Sequence, residues 1–317
     1  MTETGRWAPD RGWGWVWGPH DEVGALNALG RRETLAALSG IRSGQVFDLG
    51  VTVDRNSYLS PVHPHTEVLS FRSPEGVLRE RDLDIVRSGA FQDELGFSTS
   101  MIMACDHLGT QLDGLAHITC GEDHHWYNGF NVAADGGDFG PRRAGAENIP
   151  PIIAHAVMID VASWRGVPVL APGTPIGRDD LEATLAAQGS VVRPGDVVML
   201  RTGTLSGWGE RGHDHDVLRG PDSSGLTLEG AKYLVESCGA VLLASDTSMV
   251  EVFPPVDGSS FHPVHHYALV EQGVHLGELH NLEELAAERI YECCYIALAP
   301  KIAGTTGGFA MRPIALI

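Results

Sequence analysis

Short apolar runs separated by glycine and polar residues recur along the chain, and they predict an alternation of strands and helices. GDVVMLRTG is apolar at every central position, which is typical of a strand buried within a sheet. Four further runs are interpreted as strands: VFDLGVTV, AHAVMIDV, AVLLASD and VHLGEL. The segment YIALAPKIAGTTG is expected to close the core.

Helical patterns with start and stop signals lie between these strands. RRETLAALSG predicts a short helix that ends at Gly40. DDLEATLAAQG has acids in its first turn and Gly189 just past its end, as the helix dipole and C-cap preferences require. Thr227 is placed to cap a helix over LEGAKYLVESCG. HPVHHYALVEQG and NLEEL predict two more helices.

The domain organisation that follows is an arm and one α/β domain. Residues 1–30 are interpreted as an irregular N-terminal arm, and residues 31–317 as a single domain without repeat, linker or low-complexity tract. The arm carries four tryptophans: Trp7, Trp13, Trp15 and Trp17. It could cover a neighbouring subunit, line a pocket or pack onto its own core.

Composition narrows the classes of partner. The formal net charge of −19 argues against nucleic acid and anionic membranes as partners, but it does not identify the small-molecule substrate. No secretory signal and no apolar run long enough to span a bilayer is found. The 5 cysteines are too few for a disulfide framework and odd in number, so we expect reduced thiols in a cytoplasm.

The segment HLGTQLDGLAH, residues 107–117, is the densest set of potential metal ligands. His107, Gln111, Asp113 and His117 are all at odd-numbered positions, with mostly apolar residues between them. In an extended chain these four side chains share one face. Histidine, carboxylate and amide donors suit Zn²⁺, Mn²⁺ or another first-row ion.

The four donors can act together only if this segment bends. Fully extended, its two end residues would lie roughly 33 Å apart. Ligands of one ion converge to a few ångströms, because metal–ligand bonds are about 2 Å long. Gly109 and Gly114 are placed to permit the bend. The sequence therefore predicts a bent metal-binding segment.

The same segment resembles the signature HxGTHxDxxxH of the metal-dependent cyclase-like hydrolases, a family that includes bacterial kynurenine formamidase and isatin hydrolase. Further segments resemble that family in the family's order: VVMLRTG, GLTLEGAKYLVESCGAVLLASDTSMVE, HHYALVEQGVHLGELHNLEEL and PKIAGTTG. The resemblance spans about residues 20–317. It implies a swivelling β/β/α fold and a homo-oligomer, either a homodimer or a homotetramer.

The resemblance also implies roles for individual residues. The metal ligands fall, position by position, on His107, Gln111, Asp113, His266 and Glu278. The acid/base residue of the family falls on His117. The family's later histidine and glutamate are twelve positions apart, a spacing that His266 and Glu278 keep; the adjacent His265 is the alternative histidine. The implied cofactor is a divalent metal, Mn²⁺ or Zn²⁺.

Gln111 departs from the signature, which has histidine at that position. An amide oxygen is a neutral ligand and weaker than imidazole. Three interpretations stay open: the site holds one ion rather than two, it prefers an oxygen-tolerant ion such as Mn²⁺, or Gln111 orients the substrate instead of binding metal. We favour a single-metal site with a harder metal.

Other polar residues are weaker candidates. His63 and His65, and one of His124 and His125, could line a substrate pocket, although a surface loop is the competing interpretation. Asp246 could support a ligand histidine or cap a turn. His213 and His215 are expected to be solvated.

These observations support three hypotheses about function. The first is a metal-dependent hydrolase of an amide, a cyclic amide or a lactone, with a metal-activated water and His117 as acid/base. The second is a metal-dependent lyase or cyclase in a biosynthetic pathway, and the third is a non-catalytic small-molecule binder. The chain lacks GxSxG, GxxxxGK[ST] and a strand-linked GxGxxG, which disfavours serine hydrolases, NTPases and dinucleotide enzymes.

Overall fold

The computed structural model of the protein describes residues 7–89, 97–208, 218, 220–256, 260–309 and 311–317. His213 and His215 lie outside the described residues. The strands are β1 (Val46–Asp48), β2 (Glu67–Arg72), β3 (Thr99–Met103), β4 (Gln111–Asp113), β5 (Ile152–Asp160), β6 (Pro175–Ile176), β7 (Val197–Arg201), β8 (Gly225–Leu226), β9 (Leu242–Ser245), β10 (His275–Glu278), β11 (Glu292–Ala297) and β12 (Ile314–Leu316).

Helices of three kinds connect these strands. The α-helices span Arg31–Ser39, Pro74–Glu80, Asp84–Arg87, Val132–Asp135, Val161–Trp164, Arg178–Gln188, Leu228–Lys232, Pro263–His265 and Glu283–Ala287. Two of them continue as π-helical segments, Tyr233–Ser237 and His266–Gln272. Short 3₁₀ segments span Gly24–Ala28, Tyr127–Gly129, Ala146–Asn148 and Thr204–Gly207.

An eight-stranded sheet forms the centre of the fold, in the order β1-β12-β11-β5-β7-β9-β10-β4. The strands β5, β7, β9 and β10 run parallel, and β4 pairs antiparallel with β10 at one edge. Every residue of β7 and β9 is buried, as expected for parallel strands covered on both faces. The predicted α/β fold is confirmed.

Local sequence signals account for the helices that flank this sheet. The Thr227 hydroxyl accepts a hydrogen bond from the Gly230 N–H at 3.1 Å, as predicted for an N-cap. Gly189 ends the helix Arg178–Gln188 in the left-handed conformation, with φ of 70°. Both predictions are confirmed. The apolar run VFDLGVTV predicts a longer strand than the structure has, since β1 covers only Val46–Asp48.

The tryptophans at the N-terminus pack onto the protein's own core. The indole N–H groups of Trp7, Trp13 and Trp15 donate to backbone carbonyls at 2.6–2.8 Å. The acceptors lie in or beside the two π-helical segments and their C-terminal turns. Three roles were considered for this arm, and the contacts of its described residues are those of packing onto the protein's own core. No helix among the described residues is long and apolar enough to cross a membrane.

Candidate metal centre

The pairing of β4 with β10 brings the signature segment against a distant part of the chain. In this antiparallel pair Gln111 lies directly opposite Glu278, and Asp113 lies opposite Leu276. All three residues of β4 are buried. The sheet edge therefore places two carboxylates and an amide at one buried point.

The chain bends on both sides of β4, as the two glycines predict. Gly109 has φ of 65°, and a Cβ there would lie 2.4 Å from the Val53 side chain. A Cβ on Gly114 would lie 2.6 Å from the Thr306 carbonyl oxygen. No larger residue fits either position. The bends carry His107 and His117 back toward Asp113, and these three residues offer ligand atoms within 4.8 Å of one another.

A second set of ligand atoms shares Asp113 with the first. Asp113, His265 and Glu278 also offer atoms within 4.8 Å of one another. The Nε2 atom of His265 lies 3.4 Å from Asp113 Oδ2 and 3.6 Å from Glu278 Oε1. His107 Nδ1 lies 3.2 Å from Asp113 Oδ1. The signature and the later segment thus meet at one carboxylate.

His265, and not His266, is the histidine that the later segment brings to the cluster. His265 is buried, whereas the His266 side chain is 37% exposed and its Nδ1 lies 3.6 Å from Glu271. The two residues are consecutive on a helix, so their side chains point about 100° apart. The prediction of His266 as a ligand is corrected to His265.

Gln111 lies in the middle of the candidate ligands. Its Nε2 donates to Glu278 Oε2 at 2.9 Å and lies 3.0 Å from His107 Nδ1. Its Oε1 is buried without a hydrogen-bond partner, and so is Asp113 Oδ2. A half-turn of the amide exchanges Nε2 and Oε1, and it would turn the amide oxygen toward the other ligands.

These orphaned oxygens fit a divalent cation. A buried acceptor without a donor is costly, and a cation beside Asp113 Oδ2, with the Gln111 amide oxygen turned toward it, supplies the missing charge. The cluster combines histidine nitrogens with carboxylate oxygens, a donor set that suits Zn²⁺ or Mn²⁺. The five residues placed to hold it are His107, Gln111, Asp113, His265 and Glu278.

The carboxyl groups of Asp113 and Glu278 are buried close together, and this changes their pKa values in opposite directions. Burial and the neighbouring Asp113 charge raise the pKa of Glu278 to about 7. Burial acts the same way on Asp113, but the neighbouring His117, His107 and His265 hold its pKa well below its usual range. Two carboxylates this close together can both ionise easily only when a positive charge lies beside them.

His117 lies at the rim of the cluster and keeps part of its surface exposed. Its ring centroid is 4.1 Å from that of His107 and 6.3 Å from that of His265. Burial lowers the pKa of His117 to about 3, with Asp113 opposing and both histidines adding to the shift. The ring is therefore a neutral imidazole at pH 7, the form in which one ring nitrogen can accept a hydrogen bond.

Supporting residues orient two of the candidate ligands. The Nε2 of His107 lies 3.3 Å from Thr306 Oγ1, and Asp106 accepts the Thr306 N–H at 2.7 Å. Glu251 is buried, accepts the Val264 N–H at 3.0 Å, and hydrogen-bonds to His265 Nδ1. That bond directs Nε2 of His265 at Asp113 and Glu278. The sequence reasoning missed Glu251.

Replacing Glu251 with glutamine is expected to lower metal affinity roughly 10–100-fold, because an amide holds the His265 tautomer and ring less firmly than a carboxylate. Competition titration of the metal-free protein against a chromophoric chelator measures this. Glu271→Gln is the matched control, since Glu271 lies beside His266 outside the cluster. Equal affinities of wild type and Glu251→Gln would contradict the role of Glu251.

A cavity of about 900 Å³ lies one side chain away from the cluster: its wall includes His262, whose ring centroid is 5.1 Å from that of His265. The loop that leads into β2 forms one wall, and His63 from this loop stacks on His107 with ring centroids 4.9 Å apart. His262 lines the cavity, and its Nδ1 lies 3.3 Å from Glu251 Oε1. Aromatic and apolar side chains line it together with polar ones: Tyr58, Leu59, His65, Met249, Phe253 and Phe261.

Two other predicted candidates lie away from the metal cluster. His125 contacts Asp123 Oδ1 at 2.7 Å and Cys120 Sγ at 3.1 Å, and His124 is exposed. Asp246 accepts the backbone N–H groups of Thr202 and Gly203, so it holds the turn after β7. Of the two roles considered for Asp246, the contacts show the turn cap.

The fold and the cluster define an α/β protein with a buried histidine–carboxylate centre at the edge of its sheet. The family model for Cyclase matches residues 47–252, which is more than half of the chain. The protein therefore belongs to the Cyclase family.

Solved structures share this fold. A crystal structure described as a novel cyclase is 26% identical, has a TM-score of 0.80, and covers 98% of this chain and 100% of its own. Isatin hydrolase A from Labrenzia aggregata bound to benzyl benzoate is 17% identical, with a TM-score of 0.60, covering 89% and 98%. An isatin hydrolase bound to the product analogue thioisatinate is 20% identical, with a TM-score of 0.58, covering 91% and 99%. No curated protein sequence matches the chain significantly.

Proposed function

We propose that this protein is a metal-dependent hydrolase that cleaves an amide, a cyclic amide or a lactone. The observation that carries the proposal is the placement of His117, a neutral imidazole, beside a buried cluster with two orphaned oxygens. Membership of the Cyclase family and the fold shared with isatin hydrolases support it.

Different residues would bind the metal ion and transfer the proton. His107, Asp113, His265 and Glu278, with Gln111, would hold one divalent ion, Mn²⁺ or Zn²⁺. When bound, such an ion lowers the pKa of water toward about 7 and polarises a carbonyl. His117 takes the proton of the attacking water and returns it to the leaving nitrogen or oxygen. The neighbouring cavity admits the substrate.

Metal removal tests this proposal directly. The purified protein is expected to contain about one divalent ion per chain, to lose hydrolysis of a panel of amides, imides and lactones after chelation, and to regain it with Mn²⁺ or Zn²⁺. Elemental analysis measures the metal content, and product assays measure the loss and recovery of hydrolysis. A metal-free protein that binds a small ligand without turnover would favour a binding protein.

A lyase or cyclase reaction is the second candidate, and the family name Cyclase favours it. The same cluster could stabilise an enolate while His117 moves a proton. Reaction in ¹⁸O-labelled water separates the two reactions. Hydrolysis adds one solvent oxygen to the product, whereas elimination or cyclisation adds none.

A further inference from the structure

A tight hairpin that follows the signature segment brings a thiol and an imidazole together. Cys120 and His125 exchange two backbone hydrogen bonds, in which the Cys120 N–H donates at 2.8 Å and the His125 N–H at 2.9 Å. Residues directly opposite each other in an antiparallel pair project to the same face. The loop between them turns at Gly121, where φ is 71° and a Cβ would lie 3.1 Å from the His125 ring. The hairpin therefore holds the two side chains next to each other.

The contacts of His125 have the order of a nucleophile, a base and an orienting carboxylate. Cys120 Sγ lies 3.1 Å from His125 Nε2, and Asp123 Oδ1 lies 2.7 Å from His125 Nδ1. The hydrogen bond to His125 lowers the pKa of Asp123, so this group is a carboxylate at neutral pH and can only accept. Nδ1 therefore carries a hydrogen, and in the neutral ring the lone pair of Nε2 faces the thiol. A base oriented in this way can activate a nucleophile.

The His125 ring is held in place, while the thiol stays within reach of solvent. Trp15 packs edge-on against this ring, with centroids 6.4 Å apart. The indole N–H of Trp15 donates to the Val270 carbonyl at 2.7 Å, which fixes the indole in turn. Cys120 and His125 are both partly exposed, so a small solute can approach the pair.

The thiol depends on His125 for its reactivity. Burial and the charges of Asp123 and Glu271 raise the pKa of the Cys120 thiol, so it keeps its proton at neutral pH until a base removes it. The proton that His125 takes is then available to a leaving group. A strongly basic leaving group such as hydroxide gains most from that proton, and hydroxide is what a peroxide releases.

We propose that Cys120 is a modification site at which a peroxide oxidises the thiol to a sulfenic acid, with His125 as the base and then the acid. His125 Nε2 takes the thiol proton, and the sulfur bonds to one peroxide oxygen as the O–O bond breaks. The departing hydroxide takes that proton from His125 and leaves as water. The sulfur loses two electrons and the peroxide gains them, so a thiol and hydrogen peroxide give a sulfenic acid and water.

Two reagents applied to the purified full chain test the proposal. Hydrogen peroxide with dimedone, which traps sulfenic acids, reports the oxidation, and iodoacetamide reports access and proton removal alone, because iodide leaves without a proton. Peptide mass spectrometry gives both rates for each cysteine. Cys238 is the internal control: it is also partly exposed, but Tyr233 is hydrogen-bonded to its sulfur.

The ratio of the peroxide rate to the iodoacetamide rate is the quantity to compare. It is expected to be at least roughly 10-fold higher at Cys120 than at Cys238, since His125 can act as an acid at the first sulfur only. Equal ratios would overturn the proposal. The pair includes none of the five candidate metal ligands, so this result does not depend on whether the protein is a hydrolase.

His125→Ala is expected to lower this ratio at Cys120 roughly 10-fold or more, because loss of the base slows both reactions whereas loss of the acid slows only the oxidation. A change in the access to Cys120 alone would alter both rates together. His124→Ala removes the neighbouring exposed histidine and should keep the wild-type ratio. Circular dichroism checks folding. A folded His125→Ala with the wild-type ratio would contradict the proposal, and if that variant does not fold, the comparison of the two cysteines in wild type decides.

Discussion

Asp113→Ala is expected to remove bound metal and to lower turnover at least about 10³-fold. Asp113 is the residue that both sets of ligand atoms share, and it is completely buried. Its two oxygens face different histidines, with His107 at 3.2 Å and His265 at 3.4 Å. No other carboxylate in the described cluster contacts both, so none can replace it.

Two further variants separate loss of charge from loss of shape. Asp113→Asn keeps the size of the side chain and should retain a weak site, with affinity between those of wild type and Asp113→Ala. Asp123→Ala removes an exposed carboxylate that pairs with His125 outside the cluster, and it should keep one ion per chain. Elemental analysis after gel filtration measures the metal content of all three variants. A fully metallated Asp113→Ala would refute the assignment of the centre.

The signature segment could be interpreted from the sequence because its chemistry is local. Its donors lie within eleven residues, and Gly109 and Gly114 mark the bends, so the convergence of His107, Asp113 and His117 follows from chain geometry. The buried strand β7 and the capped helix Arg178–Gln188 were equally predictable. Each depends on side chains that are close together in sequence.

The choice between His265 and His266 depends on tertiary packing instead. Both lie at the start of one helix, and the direction in which that helix docks on the sheet decides which ring faces Asp113. Glu251 has no sequence signal of its own, since its role arises only where the loop after β9 meets the Pro263–His265 helix. The sequence spacing from Glu278 could therefore reveal neither the correct histidine nor the role of Glu251.

The role of Gln111 could not be decided from its residue type alone. The sequence left open whether it binds metal or orients the substrate. Its amide contacts His107 and Glu278, and its buried oxygen has no partner. These contacts favour the ligand interpretation under our proposal, because a residue that oriented substrate would face the cavity instead.

His117→Ala is expected to keep its metal and to lower kcat roughly 10²–10⁴-fold, the usual contribution of a general acid–base residue. His117 lies at the rim of the cluster, beside His107 but outside the set that Gln111, His265 and Glu278 complete. With a pKa lowered to about 3, its imidazole is unprotonated throughout pH 5–8. The ring is therefore in the unprotonated form that a general base requires across that range.

The decisive measurement for His117 is chemical rescue. Added imidazole should restore part of the turnover of His117→Ala, because the alanine leaves a space for a free base beside the centre. His125→Ala is the matched control: it removes a half-buried histidine that contacts Asp123, and it should keep normal turnover and show no rescue. If His117→Ala instead loses its metal, His117 is a ligand, and proton transfer must fall to another residue. Retained metal, lost turnover and rescue together would separate the holding of the ion from the movement of the proton.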